Sequence, residues 1–162
     1  SKTMVAARRR FLNSGAYQPI AEAVNRALLD NLPADGTASC LDAGCGEGYY
    51  LRALIEDPTV TEVVGVDVSP RALEYAERRL NLDRRPDRQR AKLTLRQSSV
   101  TYRDDQLAGF DAILLIEVIE HLEPDRIASL ESSVFAAAVL NASAAAPNAR
   151  LNGGVTLLAC WR

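Results

Sequence analysis

The sequence predicts an α/β domain built on a doubly wound, mostly parallel sheet. Three observations carry that expectation. Short apolar runs alternate with amphipathic stretches along 162 residues. The apolar runs lack polar alternation, which fits strands buried on both faces. Glycines at 44, 46 and 48 follow the first run, and such turns join a strand to a helix where backbone must approach a ligand.

Each element follows from local chemistry. A helix from about Pro19 to Leu32 sets Ile20, Val24, Ala27 and Leu28 at helical spacing, and Pro33 and Gly36 end it. Ser39 to Ala43 is a short strand, and a helix from about Tyr49 to Glu56 follows the glycines. Val63 to Val68 is a β-branched strand. Ser69 is an N-cap and Pro70 a first helical residue, opening a helix to about Leu82. After a basic loop come strands at Leu93 to Gln97 and Phe110 to Ile116. A helix from Pro124 to about Leu140 overlaps a small-residue stretch, Ala136 to Ala149, and a last strand, Val155 to Cys160, follows Gly153-Gly154.

Composition narrows the function. With 48% hydrophobic and 25% charged residues, disorder, collagen and coiled coil are excluded. No apolar run approaches ~18 residues, so no membrane partner is expected. The basic N-terminal residues lack a following apolar segment, so no signal peptide is expected. Cys40, Cys45 and Cys160 form no CxxC pair, which argues against a zinc knuckle and for a reducing, cytoplasmic location. The net charge of −2 hides nine basic side chains between Arg78 and Arg103. They suit either a track for nucleic-acid phosphates or a plain solvated face.

The chemistry should lie just after each strand, where such sheets bind ligands. Leu41-Asp42-Ala43-Gly44-Cys45-Gly46-Glu47-Gly48 lets backbone approach a ligand closely, and its spacing is not that of a GxGxxG dinucleotide fingerprint. Asp67 stands 23 residues beyond Gly44, after the second strand, where a carboxylate accepts from two ribose hydroxyls. Asp-Ala-Gly-Cys-Gly-Glu-Gly followed by Gly-Val-Asp-Val-Ser resembles motifs I and II of class I S-adenosylmethionine-dependent methyltransferases. The resemblance implies a Rossmann-like methyltransferase fold with S-adenosylmethionine as cofactor. It gives Gly44 and Gly46 the methionine moiety and Asp67 the ribose, with Asp42 and Glu47 near the amino group and Ser99 at the adenine.

The fourth strand ends in Ile116-Glu117-Val118-Ile119-Glu120-His121-Leu122. On a helical turn Glu117, Glu120 and His121 share a face. Two carboxylates and an imidazole suit a divalent metal, and mixed nitrogen and oxygen ligands suit manganese, iron, cobalt or zinc more readily than hydrated magnesium; a capped, solvated turn is the other reading. Residues 38 to 135 resemble the methyltransferase domain of small-RNA 3′-terminal 2′-O-methyltransferases, above all in Glu117-Val118-Ile119-Glu120-His121-Leu122. That resemblance implies an RNA substrate. It makes Glu117, Glu120 and His121 catalytic residues that ligate a divalent metal (manganese or magnesium) on the terminal 2′ and 3′ hydroxyls. It also implies an RNA-repair partner protein, by family alone.

Two departures stand out. The family supplies a second histidine downstream, whereas His121 is the single histidine here. The fold is expected to be shortened at the C-terminus, lacking the sixth and seventh strands. The N-terminal stretch Ala7 to Ile20, with Gly46-Glu47-Gly48-Tyr49-Tyr50, is similar instead to ribosomal RNA guanine-N1 methyltransferases, which implies that Tyr17 covers the cofactor. The expected organisation is one methyltransferase-like domain, with residues 1–37 a lid or helix segment and 38–162 the cofactor-binding core. RNA ribose methylation, guanine-N1 methylation and a catalytically impaired binding module remain the three readings.

Overall fold

In a computed structural model, residues 7, 10–11, 14–32, 37–102, 104–107, 109–135 and 156–160 are described. The strands are β1 (Ala38–Ala43), β2 (Val60–Asp67), β3 (Leu93–Gln97), β4 (Ala112–Ile116) and β5 (Thr156–Cys160). They pair in parallel in the order β3-β2-β1-β4-β5. The helices are α1 (Gln18–Leu29), α2 (Leu51–Glu56), α3 (Pro70–Leu80), α4 (Asp87–Arg90) and α5 (Pro124–Leu130). The expected doubly wound parallel sheet is therefore present.

Alternation along the strands sends successive side chains to opposite faces, and each face has its own core. Cys40, Val63 and Leu114 pack with Leu28, Leu51, Leu54 and Leu80 from α1, α2 and α3. Leu41, Val64, Val66, Ile113 and Leu115 pack on the other side with Val100, Phe110 and Leu130. All five residues of β4 are buried, as a central strand requires. Among the described residues β3 pairs with β2 alone, and it is half-exposed along its length.

Several ends differ from the sequence expectation, each for a local reason. The Ser69 side chain caps α3 by accepting from Ala72 N at 3.2 Å. Asn81, in the left-handed region at φ +50°, stops that helix at Leu80 rather than Leu82. The basic loop holds a 3₁₀ turn, Leu82–Arg84, and α4. α5 ends at Leu130 in a π-type turn, Glu131–Phe135. There Ser132 Oγ donates to the Ala128 carbonyl at 2.9 Å, the acceptor an α-helical ladder would use. The expected helix beyond 135, the small-residue stretch, residues 33–36, Arg103 and residues 153–155 lie outside the described residues.

α3 starts at the carboxyl end of β2 and returns along the sheet, so residues 80 to 92 sit at the amino ends of the strands. Most of the basic side chains there serve the domain itself. Arg85 Nε donates to the Leu80 carbonyl at 2.7 Å, and its Nη1 bonds Glu56 at 2.8 Å. Arg90 pairs with Asp87, and Lys92 Nζ donates to the Asp57 carbonyl at 2.7 Å. Further along β3, Arg96 pairs with Asp104.

Candidate functional site

In the order β3-β2-β1-β4-β5, the connections leave β1 and β4 toward opposite sides, which opens a crevice at their carboxyl ends. A cavity of about 620 Å³ occupies it. Of the residues singled out from the sequence, Tyr17, Asp42, Gly44, Gly46, Glu47, Asp67, Ser99, Glu117 and His121 line this cavity. Glu120 does not.

The glycine turn forms one wall. The amides of Gly44 and Cys45 donate to the Val66 carbonyl at 2.9 and 2.8 Å, folding the chain from β1 over β2. Gly44 has φ +89°, and a Cβ there would stand 2.5 Å from Val118 Cγ2. Both the backbone conformation and the space therefore demand glycine. Gly46 donates its amide to Asp67 Oδ2 at 2.9 Å, and Ser69 donates to Asp67 Oδ1 at 2.8 Å. A carboxylate offers about four acceptor positions. The two backbone bonds orient Asp67 while leaving capacity for a ligand diol.

Asp42 lies at the floor. It is 2% exposed, and its Oδ2 has no hydrogen-bond partner among the described residues. Burial, reinforced by the Asp67 charge, pushes its pKa up to about 7. A buried acceptor without a donor fits an amine-bearing ligand. Glu47 is held by Arg79, whose Nη2 donates to Oε2 at 3.1 Å while its guanidinium lies 5.6 Å over the Tyr49 ring. The Ser99 hydroxyl shares a 2.8 Å hydrogen bond with Thr101 Oγ1. Burial, and then Asp42 and Asp67, push the Cys45 thiol well above its usual range, so no thiolate chemistry arises there.

The opposite wall follows β4. Glu117 sits at φ +53°, an uncommon conformation for a residue with a side chain. The Tyr17 hydroxyl donates to Glu117 Oε1 at 3.3 Å, and the Tyr50 hydroxyl donates to Tyr17 at 3.1 Å. Burial, and then the bond to Tyr17, push the Tyr50 hydroxyl far above its ordinary pKa, so it remains a donor. Tyr17 meets Phe11, Tyr49 and Tyr50 edge to face at 6.2, 5.7 and 6.5 Å. Tyr50 and Val118 were not singled out from the sequence. The Tyr49-Tyr50 pair beside the glycines is the local signal for Tyr50, and Val118 stands inside the Glu117–Leu122 stretch.

The expected metal cluster is only partly assembled. Glu117 precedes the 3₁₀ turn Ile119–His121 in a left-handed conformation. The three residues therefore do not follow an α-turn, and the shared face expected at i, i+3 and i+4 is not formed. Glu117 and His121 line the cavity, whereas Glu120 is exposed outside it. Among the described residues no group of three His, Cys, Asp or Glu side chains is gathered for a metal ion. As arranged, the cluster does not fit one. Nor is any helix among the described residues long and apolar enough to cross a membrane.

Residues 41–141 match the methyltransferase domain family, and the chain belongs to it. Its fold and cavity are those of a class I S-adenosylmethionine-dependent methyltransferase. Within that class it is similar to the small RNA 2′-O-methyltransferase of Mus musculus, at 38% identity over 98 residues. The match covers 58% of this chain and 25% of that protein, so the chain spans a quarter of the relative's length. It is also similar to the crystal structure of the methyltransferase domain of bacterial CtHen1-C, at 36% identity and a TM-score of 0.62 over 78% of this chain and 60% of that one. The glycopeptide N-methyltransferase MtfA complexed with S-adenosyl-L-methionine has a TM-score of 0.59 at 19% identity, over 70% of this chain and 47% of that one. That likeness is one of fold alone. The residues present fit S-adenosylmethionine: Asp42 offers a buried acceptor with no partner among the described residues, and Asp67 an oriented carboxylate.

Proposed function

We propose that the protein transfers a methyl group from S-adenosylmethionine to the 2′-hydroxyl of the 3′-terminal ribose of an RNA. The observation that carries this reading is that Glu117 and His121 line the same cavity as Gly44, Gly46 and Asp67. Cofactor-side and acceptor-side groups thus share one space. The bound cofactor supplies an electrophilic methyl group on a sulfonium. The protein's work is then to bind, orient and deprotonate. Asp67 holds the cofactor's ribose diol, and Asp42 takes its ammonium group. Ser99 stands at the adenine side, and the Tyr17 ring covers the methionine end. Glu117 accepts the proton of the attacking hydroxyl, and His121 hydrogen-bonds the acceptor ribose.

Metal assistance rests on the Glu-x-x-Glu-His pattern alone and would require Glu120 to turn in beside Glu117 and His121, which line the cavity. No step above runs through a metal. Undiminished activity of Glu120→Ala in EDTA removes the metal from the reading. An RNA-repair partner protein belongs to the same proposal and rests on the family resemblance.

The test is methyl transfer from labelled S-adenosylmethionine to a short single-stranded RNA with a free 3′ diol. Incorporation is expected, and periodate oxidation of the RNA should abolish it. Acceptance by oxidised RNA refutes the ribose reading. It would support guanine-N1 methylation instead, the second reading, which Phe11 and Tyr17 at the cavity favour. Failure to bind S-adenosylhomocysteine refutes both and leaves the fold as a binding module.

A further inference from the structure

We infer that Tyr17 is a positioning residue that fixes the Glu117 carboxylate for the acceptor, with Tyr50 in turn fixing Tyr17. The inference rests on the reading of Glu117 as the acceptor's proton partner, and it adds the residues that make Glu117 competent. Three observations carry it. The hydroxyl of Tyr17 donates to Glu117 Oε1 at 3.3 Å across a sequence separation of 100 residues. The hydroxyl of Tyr50 donates to Tyr17 at 3.1 Å, and both tyrosines are buried among core residues. Glu117 stands at φ +53°, a conformation that persists only where its surroundings hold it. A two-tyrosine chain ending on that carboxylate is such a hold. It removes rotamer freedom that an acceptor hydroxyl would otherwise have to overcome. The ring of Tyr17 covers the cavity while its hydroxyl serves Glu117, so the two roles separate chemically.

Removing the hydroxyl alone separates them experimentally. Tyr17→Phe should lower kcat about tenfold, leave KM for the RNA within about twofold, and leave S-adenosylhomocysteine affinity within about twofold. In a Glu117→Ala background the same substitution should change kcat no further, because its effect travels through Glu117. Tyr50→Phe should reproduce a smaller form of the loss, again absent in Glu117→Ala. Equal losses in both backgrounds, wild-type kcat, or a cofactor affinity that falls with the hydroxyl each overturn the inference.

A second cycle reads the contact without any substrate. Tyr17→Phe should lower Tm by about 2–4 °C in the wild-type background and by less than about 1 °C in Glu117→Ala. Additive Tm losses overturn the contact itself. If the stability cycle couples while no RNA accepts methyl, the ribose proposal has failed and the Tyr17–Glu117 contact has not.

Discussion

Asp42 gives the sharpest test of the site's electrostatics. Its carboxyl is buried, one oxygen has no partner among the described residues, and its pKa rises from 3.8 to about 7, chiefly through burial and then through Asp67. The folded state therefore keeps a proton that the unfolded chain loses first. This contribution to stability is complete below pH 3.8 and is lost as pH rises toward 7. The full loss is roughly 4 kcal/mol, of which about 3 kcal/mol falls between pH 4.5 and 8. For a domain of this size that corresponds to about 6–12 °C in Tm. Asp42→Asn carries no charge to bury. Compared with wild type across that range, it should gain Tm progressively as pH rises and differ little at pH 4.5. Thermal unfolding by circular dichroism in matched buffers measures this directly. A wild-type and Asp42→Asn difference that is constant with pH refutes the reasoning. The same picture predicts that S-adenosylhomocysteine, by placing an ammonium group on Asp42, drives off part of a proton near pH 7. Calorimetry in buffers of different ionisation enthalpy would show it.

Further outcomes follow from the turn and the strand ends. Gly44→Ala adds a Cβ 2.5 Å from Val118 Cγ2 at φ +89°, and should lower Tm by at least about 5 °C and weaken S-adenosylhomocysteine more than about tenfold. Adding Val118→Ala should recover part of the Tm by relieving the overlap but not the backbone strain, and no recovery would discount the overlap. Asp67→Ala should weaken S-adenosylhomocysteine by about 1–3 kcal/mol, roughly 5- to 150-fold by calorimetry; an unchanged affinity removes Asp67 from the site. Ser69→Ala loses the bond from Ala72 N and should cost about 1 kcal/mol, or about 2–4 °C in Tm, with cofactor affinity retained.

What could be read from the sequence was what is decided locally. The glycine turn, Asp67 and the Ser69-Pro70 helix start depend on residues close in the chain, and each lies where its pattern placed it. β3 runs over Leu93–Gln97 as expected. What could not be read depends on burial or on distant partners. The raised pKa of Asp42 follows from its depth beneath the turn. The hold of Tyr17 on Glu117 spans 100 residues. Part of the basic segment's role was hidden because two of its partners are remote: Glu47 bonds Arg79 across 32 residues and Glu56 bonds Arg85 across 29. The Glu-x-x-Glu-His spacing did not reveal how its side chains are arranged, for a different reason. Spacing converts to a shared face only if the backbone is helical, and Glu117 at φ +53° breaks that condition.

The strand order has an evolutionary consequence. The groups assigned to the methyl donor come from one contiguous stretch, Asp42 to Ser99, on β1, β2, β3 and their turns. Those assigned to the acceptor come from a separate stretch, Glu117 to His121, after β4. On the proposed assignments, donor-side and acceptor-side groups fall in successive, separable passages of the chain. A new acceptor can be recruited by rewriting the second passage while the first is inherited unchanged. Tyr17 is the exception, an upstream residue tied to the acceptor passage, and a lineage that changed Glu117 would release the N-terminal segment to diverge with it.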